Sequence, residues 1–78
     1  MATTTAAATA ATIPITVNGE AREVPAPATL ADLLARIGLD TRKVAVERNL
    51  EIVPRSAYAE TELAAGDALE IVHFIGGG

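Results

Sequence analysis

Two prolines, Pro25 and Pro27, divide the chain into parts with different hydrophobic periods, and this change of period limits the folds open to it. Before them, the segment IPITVNGEAREV alternates apolar and polar residues around the dipeptide Asn18-Gly19. Asn-Gly favours the positive φ angles of a type I′ turn, so the segment is predicted to form a β-hairpin that ends near Val24.

The segment after the prolines has the period of an amphipathic helix. Thr29 is the predicted N-cap, Asp32 lies three residues further on, and Gly38 is the predicted C′ residue. The apolar residues fall on one stripe that can cover a sheet, and they are Leu30, Leu33, Leu34 and Ile37. Asp32 and Arg36 are predicted to pair on the solvent side.

Three further strands are predicted within RKVAVERN, LEIVP and DALEIVHFI. Between the last two, RSAYAETELAAGD is predicted to be turn-like, anchored by Tyr58 and Leu63 and ending in a tight turn at Gly66-Asp67. The order strand, strand, helix, strand, short strand, loop, strand predicts an α+β fold of the β-grasp, or ubiquitin-like, type. Such a fold has a mixed sheet of four to five strands with one main helix packed on one face, and its last strand lies beside the first.

The two ends differ from this folded part. Residues 1–12 contain only Met, Ala and Thr and are predicted to be a disordered extension, because so short an Ala/Thr segment is marginal as an isolated helix. Residues 13–75 are predicted to be the β-grasp domain, and residues 76–78 a flexible, reactive glycine tail.

Composition excludes several functions. A net charge of -4 argues against nucleic acid and anionic membrane as partners. With no cysteine and one histidine, the chain lacks the residues for a metal or catalytic cluster, so we expect no enzyme activity, no bound cofactor and a cytoplasmic location. His73 is interpreted as structural, and the expected partners are proteins.

The glycines Gly76, Gly77 and Gly78 follow an apolar strand, and this suggests that a carboxylate is presented for chemistry. Glycine can thread a narrow channel in a partner. A carboxylate is a poor electrophile, so acyl chemistry at Gly78 would require activation by another enzyme, most simply as a mixed anhydride with AMP. If Leu69 and Ile71 face the core, Val72, Phe74 and Ile75 are candidates for partner docking.

The motifs VNGE, LADLLARIGLD, VAVERN, EIVPR and GDALEIVHFIGGG together resemble the sulfur carrier proteins of thiamine biosynthesis, from about Ile13 to Gly78. The resemblance implies that an E1-like adenylyltransferase uses ATP to form a glycyl-adenylate at Gly78. A sulfur-donating persulfide enzyme then leaves a thiocarboxylate, and thiazole synthase takes its sulfur for thiazole phosphate formation. The carrier would be a co-substrate and not a catalyst.

Two residues depart from the family pattern. Leu50 stands where relatives often carry glycine, so the turn is expected to be displaced or to use Asn49 at positive φ, and Tyr58 stands where tryptophan is common. Three alternative functions stay open: a sulfur donor for molybdopterin, a ubiquitin-like protein modifier, and an interaction module whose glycine end has no role.

Overall fold

The computed structural model describes residues 11–74, which form a mixed sheet of five strands with one main α-helix on one face. The strands are β1 Thr12–Val17, β2 Glu20–Pro25, β3 Val44–Arg48, β4 Glu51–Val53 and β5 Ala68–His73, and the helix is α1 Leu30–Arg36. Two 3-10 helices, Thr41–Lys43 and Arg55–Glu60, lie in the connections. This architecture confirms the predicted β-grasp fold.

The strand order β2-β1-β5-β3-β4 places the last strand at the centre of the sheet. β5 runs parallel to β1 and antiparallel to β3, so both of its edges are paired over part of its length. The predicted position of the last strand beside the first is therefore confirmed.

Both two-residue hairpin turns have the backbone of a type I′ turn. Asn18 and Gly19 have φ values of 51° and 85°, as the Asn-Gly dipeptide predicts. Asn49 and Leu50 have φ values of 53° and 72°, so the second turn is not displaced and places a leucine in the left-handed region. The register Arg48↔Glu51 leaves these two residues alone in the loop.

The predicted caps of α1 are present. The Thr29 hydroxyl accepts a hydrogen bond from the Asp32 amide, and the Asp32 carboxylate accepts one from the Thr29 amide. Gly38, at φ 83°, is the C′ residue. Asp32 and Arg36 are both exposed, but the predicted ion pair is not formed, because the Asp32 carboxylate is oriented towards the Thr29 amide.

The apolar face of α1 packs on β1, β3 and β5 to form the core. Its buried side chains are Ile15, Val24, Leu30, Leu33, Leu34, Val44, Val46, Tyr58, Leu63 and Leu69. Burial of these aliphatic groups is the main force that holds the helix on the sheet.

Two predicted boundaries need correction. Thr12 was assigned to the N-terminal extension but lies in β1, because its backbone pairs with Pro25 at the edge of the hairpin. The segment predicted to be only turn-like contains the 3-10 helix Arg55–Glu60, in which the Ala57 amide donates to the Pro54 carbonyl. Tyr58 anchors this segment as predicted, since its buried hydroxyl donates to the Val44 carbonyl at 3.3 Å.

Candidate functional site

The chain leaves the sheet at the end of its central strand. β5 pairs with β3 as far as His73↔Val44, and the Phe74 amide then donates to the Lys43 carbonyl at 2.8 Å. These bonds hold the chain at Phe74, four residues before Gly78. The predicted site residues Ile75, Gly76, Gly77 and Gly78 lie outside the described residues, as does the segment 1–10 of the predicted extension.

Two asparagines in the left-handed region extend the hydrogen bonding of β5 beyond its strand neighbours. The Asn18 amide donates to the Leu69 carbonyl at 2.8 Å, and its side chain both accepts from the Ile71 amide at 2.7 Å and donates to the Ile71 carbonyl at 3.2 Å. On the other edge, the Asn49 amide donates to the Ala68 carbonyl and its side chain accepts from the Ala68 amide. Asn49 therefore holds the start of β5, and Asn18 holds Ile71 in its second half.

The sequence indicated only the turn geometry of these residues. Asn-Gly predicts positive φ at Asn18, but no pattern in the sequence indicates that the Asn18 carboxamide reaches a strand 53 residues away. The one sequence feature that fits this contact is the asparagine at the first turn position, because its carboxamide can donate and accept hydrogen bonds at once, whereas an aspartate or a glycine cannot.

Asp67 is a buried carboxylate just before β5. It accepts hydrogen bonds from Arg48 at 2.9 Å, from the Asn49 side chain at 3.1 Å and from the Ala64 amide at 2.9 Å. Burial raises the pKa of Asp67, but the hydrogen bonds from Ala64, Asn49 and Arg48 together hold that pKa below its usual value. This cluster fixes the point at which the chain enters β5.

The face of the sheet opposite α1 carries an exposed apolar surface. Its large side chains are exposed by 89% at Leu50, 76% at Ile52, 60% at Val72 and 52% at Phe74. We call these four residues the open face. Leu69 is buried and Ile71 packs against the core, so the condition stated for the last strand is met and Val72 and Phe74 face outward. Leu50 and Ile52 were not predicted as part of this surface.

Two glutamates lie between the apolar side chains of the open face. Glu47 and Glu70 are direct neighbours across β3 and β5, and both line a groove together with Leu50, Ile52 and Val72. Like charges in this position repel each other and do not stabilise the sheet. A surface that is apolar with a negative centre is therefore complementary to a partner with apolar and cationic side chains.

The single histidine of the chain, His73, lies next to the point where the chain leaves the sheet. It is exposed and is the last residue of β5. Between residues 11 and 74, no group of three or more His, Cys, Asp or Glu side chains has the arrangement to hold a metal ion. No helix in that range combines the length and apolar composition required to cross a membrane.

The five-stranded sheet with its last strand at the centre and one helix on one face places the chain in the β-grasp class. The model of the ThiS family matches residues 15–78, and the chain belongs to this family. This membership confirms the resemblance to the sulfur carrier proteins of thiamine biosynthesis that the sequence motifs carry.

Individual relatives agree with the family. The sulfur carrier protein ThiS of Bacillus subtilis is 52% identical over 50 residues, which is 64% of this chain and 76% of that protein. The crystal structure of the thiamine biosynthesis protein ThiS from Geobacter metallireducens has a TM-score of 0.71 at 33% identity and covers 85% of this chain and 100% of that one.

A second kind of relative is much longer. The thiazole synthase of Paramagnetospirillum magneticum is 58% identical over 64 residues, which is 82% of this chain but 20% of that protein. The thiazole synthase of Magnetococcus marinus is 47% identical over the same length and share. The chain thus spans about a fifth of the length of the thiazole synthases that it matches.

Proposed function

We propose that this chain carries sulfur for thiamine biosynthesis as a thiocarboxylate on the terminal carbonyl of Gly78. The observation that carries the proposal is the central position of β5, which is paired on both edges over part of its length. The last hydrogen bond after this strand, from the Phe74 amide to the Lys43 carbonyl, lies four residues before Gly78. Four residues reach at most about 14 Å, so a partner's active site must come close to the exit point at Phe74.

The chemistry has two stages, each performed by a partner. An E1-like adenylyltransferase lets the Gly78 carboxylate attack the α-phosphorus of ATP, which releases pyrophosphate and leaves a glycyl-adenylate. The terminal sulfur of an enzyme persulfide then attacks the glycyl carbon and expels AMP. A thiol reduces the resulting acyl disulfide, so that the thiocarboxylate is released. The carrier contributes the Gly78 carboxylate and its position, and no side chain that acts as acid, base or nucleophile.

We propose that the open face docks on thiazole synthase. Support comes from the two thiazole synthases that contain a region similar to this chain, since a region kept in one polypeptide with an enzyme acts at that enzyme. The apolar side chains provide the buried contact area, and Glu47 and Glu70 favour a partner surface with cationic side chains. Ile75 is proposed to extend this surface towards the tail.

Intact mass tests the carrier function. The chain is co-expressed with an adenylyltransferase and a sulfur source, and the product should be heavier by the difference between one sulfur and one oxygen atom at the C-terminus. A variant that lacks Gly77 and Gly78 is the control and should not be converted. No mass shift in the full chain, under conditions that convert the Bacillus subtilis carrier, would contradict the proposal.

Binding tests the docking surface. Val72→Glu and Ile52→Glu should each weaken binding to thiazole synthase at least tenfold, because each places a charge in an apolar contact next to existing glutamates. Glu60→Ala, at the end of the 3-10 helix Arg55–Glu60 and outside the open face, is the control. Tighter binding to the large subunit of molybdopterin synthase than to thiazole synthase would assign the carrier to molybdopterin synthesis.

The cytoplasmic location of the protein stays a prediction.

A further inference from the structure

The second half of β5 is hydrogen-bonded to the Asn18 side chain at the point where the neighbouring strand, β1, has ended. β1 ends at Val17, and the backbone at Asn18 turns into the hairpin at φ 51°. In a parallel ladder the carbonyl of this residue would accept the next amide of β5, but the turn directs it elsewhere. The Asn18 carboxamide takes its place, since its oxygen accepts from the Ile71 amide and its nitrogen donates to the Ile71 carbonyl.

Because the Asn18 side chain takes the place of a backbone carbonyl, a longer part of β5 is hydrogen-bonded on both edges. The last backbone bond from the β1 side reaches Leu69, whereas the carboxamide reaches Ile71, two residues nearer the glycines. Beyond Ile71, the structure describes bonding from the β3 side, where the Lys43 carbonyl accepts from the Phe74 amide. Asn18 is therefore the last support on its edge among residues 11–74.

We propose that Asn18 is a positioning residue for the reaction at Gly78: its carboxamide holds Ile71 and so directs the tail into the partner's active site. The inference rests on the proposed carrier function and adds a residue to it. Asn18 touches neither the reacting carbonyl nor ATP. It acts by reducing the conformations that the partner must order when it takes up the tail.

Asn49 provides a matched control in the same molecule. It has the same residue type, a similar φ of 53° and two side-chain hydrogen bonds, but it holds Ala68 and Asp67 at the opposite end of β5. Asn18→Gly and Asn49→Gly each keep a residue that accepts positive φ and each remove a carboxamide. A general loss of stability should therefore affect both variants, whereas loss of tail position should affect only Asn18→Gly.

Two measurements separate the proposal from the carrier function itself. Amide hydrogen exchange is measured on the free carrier. In Asn18→Gly the Ile71 amide should exchange at least tenfold faster, and the Phe74 amide should be less affected. In Asn49→Gly the Ala68 amide should exchange at least tenfold faster. In adenylyl transfer with ATP, Asn18→Gly should raise the KM for the carrier about fivefold and leave kcat within twofold. A fivefold rise in KM corresponds to the lower end of the free-energy cost of ordering one residue, and we expect the lower end because β3 still holds the strand. Asn49→Gly should change neither by more than twofold.

Each outcome decides one point. Unchanged exchange at Ile71 would overturn the hydrogen-bond role of Asn18, and faster exchange with an unchanged KM would overturn its positioning role. An equal rise of KM in both variants would reduce Asn18 to a contribution to stability. Should Asn18→Gly fail to fold, Asn18→Asp keeps the turn but cannot donate to the Ile71 carbonyl, and its KM should also rise. If the unaltered chain is not adenylated, the proposed function fails while the exchange result stands.

Discussion

Replacement of Leu50 by glycine should make the protein more stable. Leu50 has φ 72°, where a side chain with a Cβ atom costs about 1–2 kcal/mol. Glycine removes this strain but loses about 0.5–1 kcal/mol through its greater freedom in the unfolded chain. Because Leu50 is 89% exposed, little burial is lost, and we expect a net gain of about 0.5–1 kcal/mol in the free energy of unfolding.

Thermal and urea unfolding, followed by far-ultraviolet circular dichroism, measure this gain. For a domain of this size, about 0.5–1 kcal/mol corresponds to a rise of roughly 2–8 °C in Tm. Leu50→Ala is the control, since it removes the apolar side chain but keeps the Cβ atom that causes the strain, and it should give no such rise. Equal Tm values for the two variants would refute the reasoning, because the effect would then come from the side chain and not from the backbone.

The same two variants test why the strained leucine is present. Strained residues persist mainly at functional sites, and Leu50 belongs to the open face that we propose as the docking surface. Both variants should therefore bind thiazole synthase more weakly, by about 1 kcal/mol or more. Leu50→Gly would then combine higher stability with weaker docking. Unchanged binding in both variants would remove Leu50 from the docking surface.

Further predictions concern the buried carboxylate, the tail and the core. The pKa of Asp67 is lowered in the folded state, so its stabilising effect is present above the usual aspartate pKa of about 3.9 and is lost as the pH falls through the lower folded value. Asp67→Asn should unfold more readily by about 1–3 kcal/mol at pH 7, and urea titrations should show the difference shrinking below pH 4; a constant difference would contradict the linkage. One residue added after Gly78 should leave Tm unchanged but abolish sulfur transfer by intact mass, and a tagged chain that still accepts sulfur would disprove the assignment of the reacting group. Leu33→Ala should cost about 2–5 kcal/mol in urea unfolding, because Leu33 is fully buried between α1 and the sheet, whereas Ala35→Ser on the exposed face should cost under 1 kcal/mol.

Local patterns in the sequence were sufficient for most of the fold. The first turn, both caps of α1 and the order of strands and helix along the chain follow from residues close to one another in the sequence, where Asn-Gly, the Thr29 and Asp32 pair and Gly38 act through short-range sterics and hydrogen bonds. Predictions of side-chain pairing were wrong where a side chain had more than one hydrogen-bonding partner within reach. Asp32 lies three residues after Thr29 and four before Arg36, and its carboxylate accepts the hydrogen bond of the Thr29 amide instead of pairing with Arg36.

The candidate site divides in the same way. Alternation in the last strand predicted that Val72 and Phe74 share one face and Leu69 and Ile71 the other, because side chains of a strand alternate between the two faces, but it left open which pair faces the helix. It could not show that Leu50 and Ile52 belong to the same surface, since β3 brings them next to Val72 only after long-range pairing. The hydrogen-bonded cluster around Asp67 depends on that pairing as well.

The sequence by itself determined the class of fold, the family and the residue proposed to react, because these depend on hydrophobic period, turn chemistry and motif. Only the tertiary structure decided which side chains hold the reactive end in place. Asn18 and Ile71 are 53 residues apart, and they meet because the sheet places β5 beside the turn that ends β1. Contacts of this kind require the closure of a long loop, and a single sequence carries no local signal for the residue on its far side.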